Sequence, residues 1–522
     1  MGGLDRGTLL AVVAMAMAVF VVANDFTALS VALPQIENDF DADVATVQWV
    51  INAYALVFGV LIVTGGRLAD MFGRRRIFFL GAATFASFSL IGGAAQSDLW
   101  LIVCRGLMGI GGAMMWPAVL GMTYAILGDE RAGLAGGIVL GTAGFGNAAG
   151  PLIGGALTDA FSWRWILFLN LPIAALACFV TWREVSESRV EGADQRIDYA
   201  GVATLTLALT ALLLGLDQVT DWGWSDPRIL ALFAACPVLL VCFVFAERRA
   251  GANALIPADV IRSLTFRSAC LATLLTSASF FASLLFLPQF MQKILDFSPL
   301  KAGAGMLPMM VTFAVTSFVA GAVYGRLGAK TVVSAGAGCL VAGSFLVSLV
   351  DHDSGWSALV PGMILLGIGV GLFVSSITTV AVTALDPSRS SLAGGVIYMF
   401  QVAGGSVGLG LTTAIFTTAA EDKLQSDLAS SRLSGGEVDA LNGALAGTDS
   451  AKSLLERFSG QTADRLVELV REAFAAGLHW AFRLVALLAL GGFFVSLFYV
   501  GGSLLRGRAR AEAAPPASAS SR

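Results

Sequence analysis

Charge is what this chain has least of. Asp, Glu, Lys and Arg make up 13% of its 522 residues, where a soluble protein carries about 25%. Hydrophobic residues reach 57% and the mean hydropathy is +0.80. So few charges cannot dress the surface of a large soluble domain, and the one long polar stretch, roughly 421–476, leaves no room for one. The formal net charge of -4 offers no basic surface to nucleic acid. Histidine is nearly missing too: His352 and His479 stand far apart in sequence. Six cysteines (Cys104, Cys178, Cys236, Cys242, Cys270, Cys339) all fall in apolar runs without C-x-x-C spacing, which predicts buried packing residues rather than disulfides or ligands. No metal and no cofactor is expected. With no nucleophile–base pair and no phosphate-binding glycine loop, no enzyme is expected either.

What is present is long apolar runs. A spanning helix needs about 20 mostly apolar residues, and fourteen such stretches can be drawn, among them 9–33, 49–68, 99–120, 133–157, 201–216 and 477–505. The first exceeds a signal-peptide core and lacks a small-residue cleavage pattern, so it is read as a retained spanner. With both termini inside the cell, the inner loops hold Arg67, Arg74, Arg75, Arg76, Arg131, Arg189, Arg196, Arg248, Arg249 and Arg326, while the short outer loops hold only Arg164, Arg228, Lys293 and Lys301. This asymmetry fixes the orientation and supports the even count. Arginine greatly outnumbers lysine in a chain rich in Ala and Gly, which points to a GC-rich bacterium and its cytoplasmic membrane.

The chain repeats itself. Leu134-Ala-Gly-Gly137 recurs as Leu392-Ala-Gly-Gly395, and at the same offset Gly146 and Gly150 fall on Gly404 and Gly408, Gly109 and Gly111 on Gly367 and Gly369, and Arg131 on Arg389. One residue further out of register, Gly66-Arg67-Leu68 recurs as Gly325-Arg326-Leu327. Several matches in equivalent places predict two parallel six-helix halves, residues 1–200 and 251–505, with two inserted helices at 201–250. The substrate of such a protein lies near the midplane between the halves. An outer loop over 419–476, containing an amphipathic segment at Ala463–Phe474, and a disordered tail at 506–522 complete the plan.

Ionisable groups inside apolar runs are costly and therefore informative. They are few: Asp25, Arg105, Asp217 at the end of the seventh stretch, and Arg483, which can snorkel. Asp25 lies nine residues before Pro34, ~13 Å from that end of its helix, and Arg105 six residues after Leu99, ~9 Å from the same side. At similar depths the two can share one cavity. Burial favours the neutral form of a carboxylate and a neighbouring arginine favours the charged form. That tension suits a group that loads a proton on one side and releases it on the other, with arginine as a fixed counter-charge; a permanent structural ion pair is the alternative. Thr27, Asn52, Tyr54, Gln289 and Gln401 are polar candidates for the cavity wall, either as ligand contacts or as interhelical hydrogen bonds. Phe286, with Phe280, Phe281, Tyr398, Met306, Met309 and Met310, can supply an adaptable apolar surface.

Two further stretches read as moving parts. In Gly66-Arg-Leu-Ala-Asp70-Met-Phe-Gly73-Arg74, Gly73 permits a tight turn and Asp70 is a latch, able to face a nearby helix N-terminus. In GTAGFGNAAGPLIGG, Gly146, Gly150 and Gly154 form a doubled G-x-x-x-G that allows close backbone approach, and Pro151 bends the helix. This stretch is expected at the moving seam between the halves. Gly408 in the second half is followed by Leu409, so the bend belongs to the first half alone.

Taken together these residues resemble the major facilitator superfamily and, within it, the fourteen-helix drug:proton antiporters of the EmrB/QacA type. Residues 66–76 resemble the superfamily's G-x-L-a-D-r-x-G-r-k signature, and Asp25-x-Thr27 through Ala32-Leu-Pro34 the first-helix motif. Leu101–Gly111 carries the R-x-x-Q-G-x-G pattern at Arg105, and Gly146–Gly155 looks like the antiporter motif. Ser30 and Met108 stand where the family has Asn and Gln. The resemblance implies an all-α membrane fold and proton-driven export by alternating access. Its cavity would be lined by helices 1, 4, 9 and 12, and its cargo would be small hydrophobic or cationic drugs or metabolites whose binding competes with a proton on Asp25. A proton-coupled importer on the same fold is the alternative, against which the Gly150-Pro151 pair argues.

Overall fold

The computed structural model describes residues 5–42, 44–188, 197–223, 225–428 and 461–501. Arg189, Arg196, most of the polar stretch and the tail at 506–522 lie outside them. Among the described residues fourteen long helices follow one another: α1 (Arg6–Ala28), α2 (Val44–Phe72), α3 (Arg74–Gly93), α4 (Asp98–Leu127), α5 (Ala132–Ala160), α6 (Arg164–Glu184) and α7 (Tyr199–Trp222). They continue with α8 (Pro227–Ala250), α9 (Leu264–Lys293), α10 (Leu307–Leu327), α11 (Ala329–Val347), α12 (Trp356–Thr383), α13 (Ser390–Leu428) and α14 (Gln461–Tyr499). Among the described residues, thirteen of these are long and apolar enough to cross a membrane. The exception is α5, whose many glycines add no apolar side chain although it runs for 29 residues.

Local chemistry sets the ends. Asp5, Ser97 and Ser263 accept hydrogen bonds from the backbone N–H of Thr8, Trp100 and Phe266, capping α1, α4 and α9. Gly73 turns α2 into α3 with φ +109°, and Gly328 turns α10 into α11 with φ +81°, a region closed to most side chains. The first apolar stretch stops earlier than its composition suggests. α1 gives way to a 3-10 turn at Leu29–Val31, and Pro34 sits in the first turn of a separate short helix, Leu33–Phe40.

Contacts of Gly7 with Glu184, Arg75 with Glu187, Arg74 with Pro387, Arg389 with Asp259 and Gly501 with Thr265 put the described termini at one end, here called proximal, with the Gly73 turn and the α12–α13 connection. In the first six helices, α1 packs on α4, α5 and α6, α2 on α4, and α3 on α4 and α6. In the last six, α9 packs on α12, α13 and α14, α12 on α10 and α11, and α14 on α11 and α13. Between the two sets, α5 meets α10 and α12, and α13 meets α2 and α4. α7 pairs with α8 and touches α2 and α13. α8 is peripheral and mostly exposed. Large side chains such as Leu80, Trp182, Phe245 and Phe498 are exposed on the outer flanks, as lipid contact requires.

Two expectations change. The doubled G-x-x-x-G does not line the contact between the two sets. Gly146, Gly150 and Gly154 lie against Ala23, Asn24, Thr27 and Ala28 of α1, so close that a Cβ at Gly154 would strike the Ala28 backbone. Different glycines of α5, namely Gly133, Gly137 and Gly141, face Gly321, Ser317 and Phe318 of α10. The reason is period: residues four apart share one face, and the second set lies on another. The loop expected over 419–476 is also shorter than that. Residues 419–428 continue α13, and 461–476 open α14. Leu466, Leu469 and Phe474 recur at helical spacing and are buried, Phe474 packing edge-on to Phe416.

Candidate functional site

Asp25 and Arg105 are brought into direct contact and both side chains are fully buried. One Asp25 carboxylate oxygen accepts from Arg105 Nη1. The other accepts from Asn170 Nδ2 of α6 at 2.7 Å, and Asn170 also donates to Ser89 of α3 at 3.1 Å. Arg105 Nε donates to the Val50 carbonyl of α2 at 2.8 Å. Its guanidinium lies 4.4 Å from the Tyr54 ring centre, a cation–π contact. Met108, where the family pattern has Gln, places its sulfur 3.8 Å from Nη1. Four helices therefore hold one buried pair of charges, with only Nη2 of Arg105 left without a hydrogen bond. Sequence reasoning missed Asn170 and Ser89. The available signal was a lone Asn inside an apolar run, next to Leu171-Pro172.

A cavity of about 1350 Å³ lies between the two sets of helices, larger than the ~300–1,000 Å³ of a drug-sized pocket. Thr27, Asn52, Tyr54, Phe286, Gln289 and Gln401, the six residues expected to line a cavity, all line this one. Phe280, Phe281 and Tyr398 join them, while Met306, Met309 and Met310 do not. Asp25 and Arg105 are not in its wall. They sit behind it, with Tyr54 shared between wall and pair. The lining is also wider than helices 1, 4, 9 and 12: α2, α5, α7, α10 and α13 contribute Trp49, Asn147, Leu213, Phe313 and Gln401 among others. It extends to Gln48, Lys293 and Glu421 at the distal ends of their helices. The side chain of Asp217 lies outside the described residues, and Arg483 is exposed beside Trp480.

The proximal end is closed by polar groups. Asp70 accepts from Arg74 Nε at 3.0 Å and from the backbone N–H of Ser391 and Leu392, at 3.3 and 2.8 Å, in the first turn of α13. Arg74 donates to the carbonyls of Gly121 and Pro387 at 3.2 and 2.8 Å and to Ser390 Oγ at 3.3 Å. Gly66 lets α2 lie against the Ser391 backbone. Tyr124 of α4 and Thr379 of α12 share a hydrogen bond of 3.0 Å nearby. Pro151 is half-buried within α5.

At the distal end both histidines reach one junction, despite their distance in sequence. His352 contacts Asp351, Asp353 and Glu468 at 2.9, 3.4 and 3.2 Å, and His479 Nε2 is 3.0 Å from the Val350 carbonyl.

A polytopic helical fold with a large cavity between two helix sets, sealed at one end, is that of a secondary transporter. Residues 15–409 match the Major Facilitator Superfamily; the chain belongs to that superfamily, and is a transporter rather than an enzyme. It is 31% identical over 486 residues to the tetracenomycin C resistance and export protein of Streptomyces glaucescens, covering 93% of this chain and 90% of that one. It is 33% identical over 404 residues to the puromycin resistance protein pur8 of Streptomyces alboniger, covering 76% and 80%. With the cephamycin export protein CmcT of Amycolatopsis lactamdurans it shares 32% over 400 residues, covering 76% and 82%. Among solved structures, the human organic anion transporter MFSD10 (TETRAN) has the same fold, with a TM-score of 0.62 at 13% identity over 94% of this chain and 100% of that one. The chain is thus a multi-pass membrane transporter homologous to drug and antibiotic efflux proteins.

Proposed function

We propose that the protein is a proton-driven exporter of small drugs or metabolites, of the fourteen-helix EmrB/QacA type, working by alternating access in a bacterial cytoplasmic membrane. The observation that carries this reading is the Asp25 carboxylate, fully buried and held by Arg105 and Asn170 directly behind the cavity wall. The repeats and the packing support two six-helix halves, 1–200 and 251–505, with α7 and α8 inserted. The Arg and Lys asymmetry supports both termini inside. In that orientation the closed proximal end is cytoplasmic, and the cavity reaches outward.

Export then runs as follows. A proton reaching Asp25 neutralises the carboxylate and frees Arg105 to rely on the Val50 carbonyl and the Tyr54 ring. Tyr54 belongs to the cavity wall, so substrate and proton communicate through Tyr54 and Arg105 rather than by touching the same oxygen. The Asp70–Arg74 latch releases α13, the halves rock, and the cavity opens to the cytoplasm. One pH unit supplies about 1.4 kcal/mol per proton, and 100 mV adds about 2.3 kcal/mol per charge. The test is transport by purified protein in liposomes under an imposed pH gradient. Asp25→Asn is expected to insert and bind cargo but to move it no faster than empty liposomes. Gradient-driven transport that survives this substitution overturns the assignment.

A further inference from the structure

Two turns occupy matching places in the two halves, and they are held differently. At the offset that sets Gly66-Arg67-Leu68 on Gly325-Arg326-Leu327, Asp70 falls on Ala329. The first half turns at Gly73 into α3, and the second at Gly328 into α11, both with positive φ. At Gly328 an added Cβ would meet nothing within 4 Å, and α11 starts without a side-chain cap. At Gly73 an added Cβ would lie 2.6 Å from the carboxylate of Glu187. Gly73 is thus required twice, for its positive φ and for the room it leaves an acid from another segment.

Glu187 lies in 185–188, the stretch that leaves α6 toward α7. Its Oε1 accepts from the backbone N–H of Arg75 at 3.0 Å, and its Oε2 from that of Arg76 at 3.1 Å. The Arg74 N–H donates to the Ser188 carbonyl at 3.1 Å. The first three N–H groups of α3, which have no partner inside the helix, are therefore taken by two consecutive residues. The exchange runs both ways. Arg75 Nη2 donates at 2.7 Å to the Trp182 carbonyl in the last turn of α6. An acid at one helix N-terminus and a guanidinium at another's C-terminus both suit the helix dipoles. All these bonds stay within the first half. The residue they fix, Arg74, does not: its side chain reaches Pro387 and Ser390.

We propose that Glu187 is a positioning residue of the proximal closure, pinning the N-terminus of α3 so that Arg74 is aimed at the start of α13. Arg74 serves Asp70, Gly121, Pro387 and Ser390 at once. Such a set tolerates little movement of its backbone, because hydrogen bonds weaken steeply out of line. Without the Glu187 carboxylate the first turn of α3 frays, Arg74 is aimed less often, and the proximal end parts more often. The proposal rests on reading Asp70 and Arg74 as a latch, and it ties that latch to the segment that leads into the inserted pair.

The test uses the full-length protein, without its native cysteines, in lipid nanodiscs. Thr379→Cys is the reporter, since Thr379 is buried at the proximal end beside Tyr124. Glu187→Ala is expected to raise the rate of maleimide labelling about threefold, the population change that loss of a helix cap gives. Combined with Asp70→Asn it is expected to add little, since both substitutions loosen one contact. Glu187→Gln keeps the length and one acceptor atom. It is expected to label at a rate between the unsubstituted protein and Glu187→Ala, and it carries the same reading if the alanine variant does not fold. Labelling that stays unchanged in both variants while Asp70→Asn raises it overturns the role of Glu187 and leaves the latch standing, even where the unfolding temperature falls. An effect that multiplies in full with that of Asp70→Asn also overturns it. No rise with Asp70→Asn overturns the latch itself, and the proposal with it.

Discussion

Among its described residues the molecule buries two Asp–Arg pairs, and they are built differently. Asp25 and Arg105 come from α1 and α4, far apart in sequence, and all their partners (Asn170, Val50, Tyr54, Met108) lie within the first six helices. Asp70 and Arg74 are four residues apart at one turn, and their other partners are mostly across the divide, at Pro387, Ser390, Ser391 and Leu392. A rigid movement of one helix set against the other leaves the first pair and its partners whole but must break the contacts of the second with Pro387, Ser390, Ser391 and Leu392. One is suited to hold charge through a cycle, the other to report which end is shut.

Breaking the first pair has the larger effect on stability. Arg105→Ala strips Asp25 of its counter-charge and leaves Val50 without its donor, so a loss of about 3–5 kcal/mol is expected. Thermal unfolding of the purified protein measures it; a loss no greater than that from Arg74→Ala would erase the contrast. Next is Asp70→Asn, which removes a carboxylate from the α13 N-terminus, an interaction of up to about 2 kcal/mol. Its expected consequence is conformational. In a background without the native cysteines, Thr379→Cys should become more reactive to a maleimide added from the proximal side, while the unfolding temperature falls by less than it does with Arg105→Ala. Unaltered labelling would mean that Asp70 is no latch.

The smallest effect is expected at the distal junction, outside both pairs. Burial disfavours a charged His352, but its hydrogen bond to Asp351 and the charges of Asp351, Asp353 and Glu468 outweigh that and raise its pKa. A raised value stabilises the fold when the ring is protonated, fully so below its ordinary value near 6.5, and the gain fades as pH rises through the higher folded value. His352→Asn should therefore cost less than about 1 kcal/mol at pH 5.5 and nothing measurable at pH 9. An equal cost at both pH values would assign the effect to packing alone.

The sequence was informative where local chemistry suffices. Apolar runs located the helices, Gly73 marked a turn, and depth along two helices set Asp25 and Arg105 level before any contact was visible. It was less informative wherever a helix face had to be chosen. Gly146, Gly150 and Gly154 promise close approach, yet nothing in their spacing says that α1, and not α10, is what approaches. Nothing local marks Asn170 as part of the pair, because its partner lies 145 residues away.

By itself, then, the sequence determined a polytopic, all-helical protein with a duplicated pattern, a deeply placed carboxylate and a glycine turn beside Asp70. All of these follow from hydropathy, period and the cost of burying charge. Only the tertiary structure decided that Asp25 stands behind the cavity wall rather than in it, that Asp70 grips the first turn of α13, and that Asn52, Gln289 and Gln401, from three separate helices, line one cavity. Those are facts about which faces meet, and facing is set by the packing of many helices at once, which no single stretch of sequence encodes.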